Sequence, residues 1–438
     1  AYIVRGDLAQ TREWTEKLAG MGCGEGEAGA KFAGDLKVIG NAVRFKEANI
    51  LFEEGKFEMA ADRYLALVDE APDDPDADRA LNNAAVAYEK IGRFASASQT
   101  YTRIYTKYPD SEFADDALLR TGLNHARFFE FEEAVQSYLR LAEDARYEDS
   151  EHRLNALKNA ANLLDGLQQY KRAADLHKKY ADKTEDEIER AEALFRAAKI
   201  LGKTKDHKRT IKAYQSYLKM YESVPDEAEH VVESHLRIGI AYGKLNNRKK
   251  AEAAYRQAVG IFGSSGLKAG SEAADLASEA QFRLAEYSLG DVLDIKLTGT
   301  GKKFEKQAKR LFDKVIVATA DYDAVFPYLR VEWVVAAMFR RGYAFETVAQ
   351  KVRAAPVPPQ LKKGSEAWFA YKELVDQQMT LFENKAVGLY EETVKRSREY
   401  KISNEWTQRA RERLNVYKPD EYPLLRPAAV GLEVEDRR

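Results

Sequence analysis

The sequence predicts an all-α solenoid, a linear array of helix-turn-helix units, and three observations carry that expectation. A small residue followed four positions later by an aromatic recurs along the chain. In six copies a further small residue stands twelve positions upstream. The apolar residues around both keep helical spacing, as in "FEMAADRYLALV" (57–68), where Phe57, Ala60, Ala61, Tyr64, Leu67 and Val68 share one face.

The pairs are Ala60/Tyr64, Ala97/Tyr101, Ala134/Tyr138, Ala251/Tyr255 and Ala308/Phe312, with Ala173/His177 and Thr210/Tyr214 as looser copies. Steps between neighbours are mostly 37 to 41 residues. The upstream small residues are Ala48, Ala85, Gly122, Ala161, Ala198 and Gly239, followed three positions later by Leu51, Tyr88, His125, Leu164, Leu201 and Tyr242. A period of this length marks a stacked array. Small residues on both helices of a unit let the backbones close up, and the aromatic fills the space toward the next unit.

Residues 1–40 read as a leading helix, the remnant of an upstream repeat being one reading, followed by a flexible Gly-rich break at "GMGCGEGEAGA" (20–30). The chain opens on Ala1 and runs straight into a helical pattern, so native sequence is expected upstream. Gly55 and Gly92 mark the turns inside the first two units, and Pro72 and Pro109 close their second helices because proline cannot donate the next backbone bond. Asp110 or Ser111 is expected to cap the next helix, with Glu112, Asp115 and Asp116 where its dipole favours negative charge.

Aligned on these positions, the chain resembles the tetratricopeptide repeat (TPR) family, with six units across 41–265, although the signature tryptophan and leucine-glycine are mostly replaced. The resemblance implies a right-handed superhelical α-solenoid whose first helices line the concave face. A seventh unit starts at Ala285 and resumes late at Ala308/Phe312, leaving an expanded turn at 290–301. "VEWVVAAMFRRGYAFETVAQKVRAA" (331–355) reads as a degenerate eighth, so 272–355 forms one segment. After "VPP" (357–359), C-terminal helices are expected over 364–417, with Ala386/Tyr390 marking a candidate ninth unit and 404–417 a closing helix. Residues 418–438, with three prolines, read as an extended tail.

Composition narrows the function. The 69 basic and 71 acidic side chains nearly cancel, which gives no drive toward nucleic acid. One cysteine, Cys23, excludes an intrachain disulfide and a cysteine zinc cage. The most apolar stretch, "WVVAAMF" (333–339), is far shorter than the roughly 20 residues of a membrane span.

No catalytic constellation emerges, and no cofactor or metal is expected. "TGTGKKF" (298–304) resembles a phosphate loop, but Lys296 stands where the first glycine belongs and Lys303 where the hydroxyl belongs. His230 and His235 are five apart and so face different sides of a helix. Paired carboxylates such as Glu189/Glu192 read as a solvated face, and Arg5-Gly6-Asp7 is too short a motif to weigh.

The family resemblance implies a groove instead. Carried over position by position, its groove slots hold Asn49, Arg79, Asn83, Arg120, Arg127, Lys158, Asn162, Arg196, Lys199, Lys203, Arg237, Lys244 and Arg283. Acids in equivalent slots are fewer: Glu53, Glu89, Asp116, Asp165, Glu192, Glu233, Glu279 and Glu286. A mildly basic wall points to a protein or peptide partner that is acidic or bears a free C-terminal carboxylate; the bland reading is that these side chains solvate an exposed wall. A chaperone-tail clamp fits at Lys158 and Asn162 but fails at Arg196 and Glu233.

"KYPDSEFADDALLRTG" is similar in style to TPR proteins of the bacterial cell envelope, which implies a non-enzymatic periplasmic scaffold. A structural subunit of a motility or secretion machine, joined through outer surfaces or the tail, is the alternative; a cytoplasmic location stays open.

Overall fold

The computed structural model describes residues 7–21 and 26–423. Cys23, Arg5 and Gly6, part of the Gly-rich break and the tail beyond Pro423 lie outside them. Eighteen α-helices and three short 3-10 turns account for the regular structure of the described residues, and none of these residues is in a strand. The chain divides into two compact units, Ala1–Thr204 and Lys205–Arg438.

The first unit holds α1 (Leu8–Gly20), α2 (Glu27–Glu53), α3 (Phe57–Glu70), α4 (Ala77–Lys90), α5 (Phe94–Lys107), α6 (Ala114–Arg127), α7 (Phe131–Glu143), α8 (Arg153–Gly166), α9 (Tyr170–Lys183) and α10 (Glu187–Gly202). The second holds α11 (His207–Tyr221), α12 (Ala228–Lys244), α13 (Arg248–Ser264), α14 (Glu272–Leu293), α15 (Lys302–Asp323), α16 (Val331–Arg353), α17 (Glu366–Glu399) and α18 (Glu405–Tyr417). Within each unit every helix packs against its neighbour in sequence. In the second unit the alternate helices α12, α14, α16 and α18 also touch in succession, so they form one wall.

The recurring pair builds the core. Ala60, Ala97, Ala134, Ala173 and Ala251 are fully buried, as are the upstream Ala48, Ala85, Ala161 and Ala198. Tyr64, Tyr101, Tyr138, Tyr214 and Tyr255 are almost wholly buried, each worth about 1.5–3 kcal/mol in apolar area. Their rings lie back on the first helix of their own unit. A Cβ added at Gly122 would stand 2.4 Å from Tyr138 Cε1, and one at Gly239 would stand 2.3 Å from Tyr255 Cε1. The aromatic therefore occupies the space above the upstream small residue, besides reaching toward the next unit.

Several details differ from the sequence expectation. The helix after Pro109 starts at Ala114 with Phe113 as its unaided cap; Ser111 Oγ instead accepts from Phe113 N, while Asp115 and Asp116 do sit in the first turn. In the seventh repeat Phe312 is only partly buried. The slot belongs to Tyr322, with Ala318 four residues before it, both at zero exposure. The connection before α15 spans 294–301, where Lys351 Nζ donates to the carbonyls of Leu293 and Ile295 and Gln307 accepts from the Thr298 and Gly299 amides. The stretch read as an eighth unit and the pair Ala386/Tyr390 belong to one hairpin, α16 with α17: a Cβ at Gly342 would meet Tyr390 Cε1 at 2.7 Å and Ala386 O at 3.2 Å.

Five of the inter-helix turns share one left-handed position. Gly55 and Gly92 hold it with φ of +76° and +73°, and Phe129, Gln168 and Asn246 hold it at +63°, +59° and +56°. Non-glycine residues there carry strain that glycine would avoid.

Two glycine substitutions test the packing. Gly239→Ala must displace a buried ring and is expected to cost about 1–3 kcal/mol in urea unfolding. Gly388→Ala, on an exposed part of α17 with nothing within 4 Å, is expected to stabilise by up to about 1 kcal/mol.

Candidate functional site

A tyrosine buried to its ring still has a hydroxyl to satisfy, and the polar slots of the first helices supply the partners. Tyr64 donates to Asn49 Oδ1 and receives a bond from Asn83. Tyr101 donates to Glu89, the same carboxylate that takes Arg120 Nη1 at 3.0 Å and Asn124 Nδ2 at 2.9 Å. Burial, then the Glu89 charge, pushes the Tyr101 phenol far up, so it stays a neutral donor. Burial likewise pushes Tyr138 up to about 12, against the pull of Arg127.

The second unit repeats the device. Tyr214 lies by Glu233 and Arg237, which bond each other at 3.0 Å. Tyr255, pushed up to about 12 by burial, takes a bond from Arg283, itself held by Glu279 at 2.6 Å. Tyr322 donates to Glu286, and Arg340 Nη2 reaches the other oxygen at 2.8 Å. Glu346 of α16, at zero exposure, accepts from Tyr390 of α17 at 2.7 Å, from Tyr417 of α18 at 2.6 Å and from Arg413 of α18 at 3.0 Å. Burial would raise this carboxyl, but the bonds from Arg413, Tyr417 and Tyr390 hold it below its ordinary value.

Most of the expected groove cations are therefore spent. Arg79 pairs with Asp76 and Glu112, Arg120 with Asp116 and Glu89, Lys158 with Glu189, and Lys203 with Asp165. Arg237 and Arg283 complete the set with Glu233 and Glu279. Arg127 lies 4.6 Å over the Phe94 ring and Lys199 lies 5.8 Å over Phe195. Asn162, Arg196 and Lys244 are exposed, and neither Arg196 nor Lys244 has a carboxylate partner among the described residues. The wall is close to charge-balanced because acids expected as a minority are the cations' own partners.

No group of His, Cys, Asp and Glu that could hold a metal ion occurs among the described residues. No described helix is long and apolar enough to cross a membrane. Sequence reasoning missed an aromatic cluster in the second unit, where Phe282 meets Trp333 at 5.3 Å and Trp406 at 5.6 Å between ring centres. Two of the chain's four tryptophans in degenerate repeats were the available signal.

His177 fills the slot that tyrosine holds elsewhere. It is 3% exposed, its Nε2 has no hydrogen-bond partner among the described residues, and burial followed by Arg196 pushes its pKa down to about 4. Above the free value near 6.5 the ring is neutral folded and unfolded. As pH falls from there toward 4, only the unfolded chain gains the proton, so stability drops. His177→Tyr is expected to remove a loss of roughly 1–2 kcal/mol at pH near 5 and to leave pH 8 stability much less changed, read from thermal melts at both. Glu346→Gln strands Arg413, which is partly exposed, and is expected to cost about 2–3 kcal/mol. Faster hydrogen exchange across α18 than across α12 would locate that loss.

Three stretches match models described as tetratricopeptide repeat: 79–111 and 192–223 with one, 232–263 with another. Among curated proteins none matches. Solved structures similar to the chain include the C-terminal part of a TPR repeat-containing protein from Cytophaga hutchinsonii, at 14% identity and TM-score 0.34, covering 64% of this chain and 98% of that one. A tetratricopeptide repeat protein from Parabacteroides merdae shows 13% identity and TM-score 0.30, over 65% and 91%. The MamA protein shows 14% identity and TM-score 0.28, over 43% and 93%. The three matched stretches begin eighteen or nineteen residues before Ala97/Tyr101, Thr210/Tyr214 and Ala251/Tyr255, in register with the period that builds the core. The chain is a tetratricopeptide-repeat protein.

Proposed function

We propose that the chain is a non-enzymatic scaffold of a bacterial cell-envelope assembly, located in the periplasm, that docks a partner segment on the face of its first helices. The repeats mark a protein–protein interaction scaffold, and one observation carries the docking reading. The first-helix wall presents long polar side chains in every repeat, and Arg196 remains exposed on α10. An acidic segment or a free C-terminal carboxylate is the partner chemistry such cations favour, with Lys158 exchanging its long 3.4 Å contact to Glu189 for the ligand.

Reversing Lys158, Arg196 and Lys199 together to Glu is the test. Capture of the native partner by the purified chain should be lost while helical circular dichroism is kept; undiminished capture removes this wall from the docking face. The reading of a structural subunit joined through outer surfaces draws on Phe128 and Phe129, 47% and 79% exposed beside the α6–α7 turn. If Phe128→Ser with Phe129→Ser abolishes assembly and the charge reversal does not, that reading replaces the first.

A further inference from the structure

The second unit contains a recess that the charge pattern does not explain. It has a volume of about 490 Å³ and is walled by rings: Tyr255 of α13, Phe282 and Tyr287 of α14, Trp333 of α16 and Trp406 of α18. Tyr255 and Phe282 are buried, and Trp333, Trp406 and Tyr287 are partly open. The helices come from distant parts of the sequence, and the α14–α16–α18 contacts that bring them together are those of the first-helix wall.

Three charged residues also line it, and all three are engaged. Arg283 is held by Glu279 at 2.6 Å. Glu286 takes Tyr322 on one oxygen and Arg340 on the other. Glu405, at the start of α18, pairs with Arg409 at 3.0 Å. Neither indole N–H, of Trp333 or of Trp406, makes a hydrogen bond among the described residues. The uncommitted chemistry of the recess is thus aromatic surface plus two neutral donors. A charged ligand group would find every lining charge already paired and gain little to offset its desolvation, whereas a ring can meet Phe282, Trp333 and the parts of Trp406 and Tyr287 that the guanidiniums of Arg340, Arg409 and Arg248 leave open.

We propose that this recess is a binding site for an aromatic side chain carried by an uncharged stretch of a partner peptide, whose main-chain carbonyls accept from the Trp333 and Trp406 indoles. The site rests on the scaffold reading above but uses other residues, in the other unit, and a different physical force. Aromatic anchors in desolvated pockets dominate the affinity of peptide and protein contacts. Because no net charge is engaged, binding here is insensitive to salt, unlike the docking of an acidic segment on α8 and α10.

The probe is N-acetyl-phenylalanine amide, titrated into the full chain and followed by saturation-transfer NMR and tryptophan emission. Saturable binding is expected, with at least about tenfold weaker binding of N-acetyl-alanine amide and of the aspartate counterpart. Affinity should change less than about twofold between roughly 0.05 and 0.5 M salt. Trp406→Ala and, separately, Trp333→Leu should each weaken the probe at least about tenfold. The second variant lies on α16, so it keeps the test valid if the first loosens α18. Absence of saturable binding, equal binding of the alanine probe, or binding unmoved by Trp333→Leu in a folded chain overturns the site. If the probe fails while charge reversal on α8 and α10 still abolishes partner capture, this recess falls and the scaffold stands. If the probe binds as expected while the charge reversal leaves capture intact, the recess stands and the basic-wall docking is what fails.

Discussion

A phenol ring lying where a side chain would otherwise begin is the contact on which the rest of this protein depends. At Gly122, Gly239 and Gly342 the ring of a tyrosine from the following helix fills the place of a Cβ. Only a minimal residue can stand under it. The ring sets how near the two helices come, and the fully buried alanine four residues before it keeps the second helix close. Burial leaves the hydroxyl at the far end of the ring in need of a partner, and in four pairs a polar residue of a first helix supplies it: Asn49 for Tyr64, Glu89 for Tyr101, Glu286 for Tyr322 and Glu346 for Tyr390.

That demand propagates. A carboxylate placed to receive a buried phenol also needs a cation, and the wall supplies Arg120 to Glu89, Arg340 to Glu286 and Arg413 to Glu346. What looks from sequence like a basic groove is in good part a ladder of tyrosine–carboxylate–arginine clasps joining successive repeats. The exposed pairs beside them, such as Arg79 with Asp76, contribute little each. Their consequence is directional, since they fix side chains that a ligand would otherwise meet as free charge. Recognition then falls to cations outside the ladder, such as Arg196, and to aromatic surface.

The repeat was legible because it is a packing rule written in residue size: a small residue, twelve positions, a small residue, four positions, an aromatic. Turns were legible where glycine holds the left-handed position, at Gly55 and Gly92, and silent where Phe129, Gln168 and Asn246 hold it under strain that the flanking helices sustain. Register failed at the seventh repeat because a longer connection moves the slot from Phe312 to Tyr322, and residue size alone allows both. The hairpin of α16 with α17 was hidden by helices longer than those of the regular repeats. Groove positions could be placed on first helices, but not their pairing. Glu89 meets Arg120 and Lys203 meets Asp165 across repeats, at separations of 31 and 38 residues.

The same constraint explains why the aromatic recess forms in the second unit and near its C-terminal helices. There the first helices touch directly, α14 with α16 and α16 with α18, and the buried Glu346 ties α16, α17 and α18 through one carboxylate. With α18 held by that clasp, Trp406 is carried to within ring contact of Phe282, two helices away along the wall. Large side chains are then needed to fill a wall whose curvature the small-residue rule no longer sets, and the space they leave is bounded by rings. In the first unit successive first helices are bridged by side-chain pairs such as Arg120 with Glu89 and Lys158 with Glu189, so polar groups lie where the second unit has indoles. One packing rule thus yields two kinds of surface, one polar and one aromatic, according to whether charged pairs or rings fill the space between first helices.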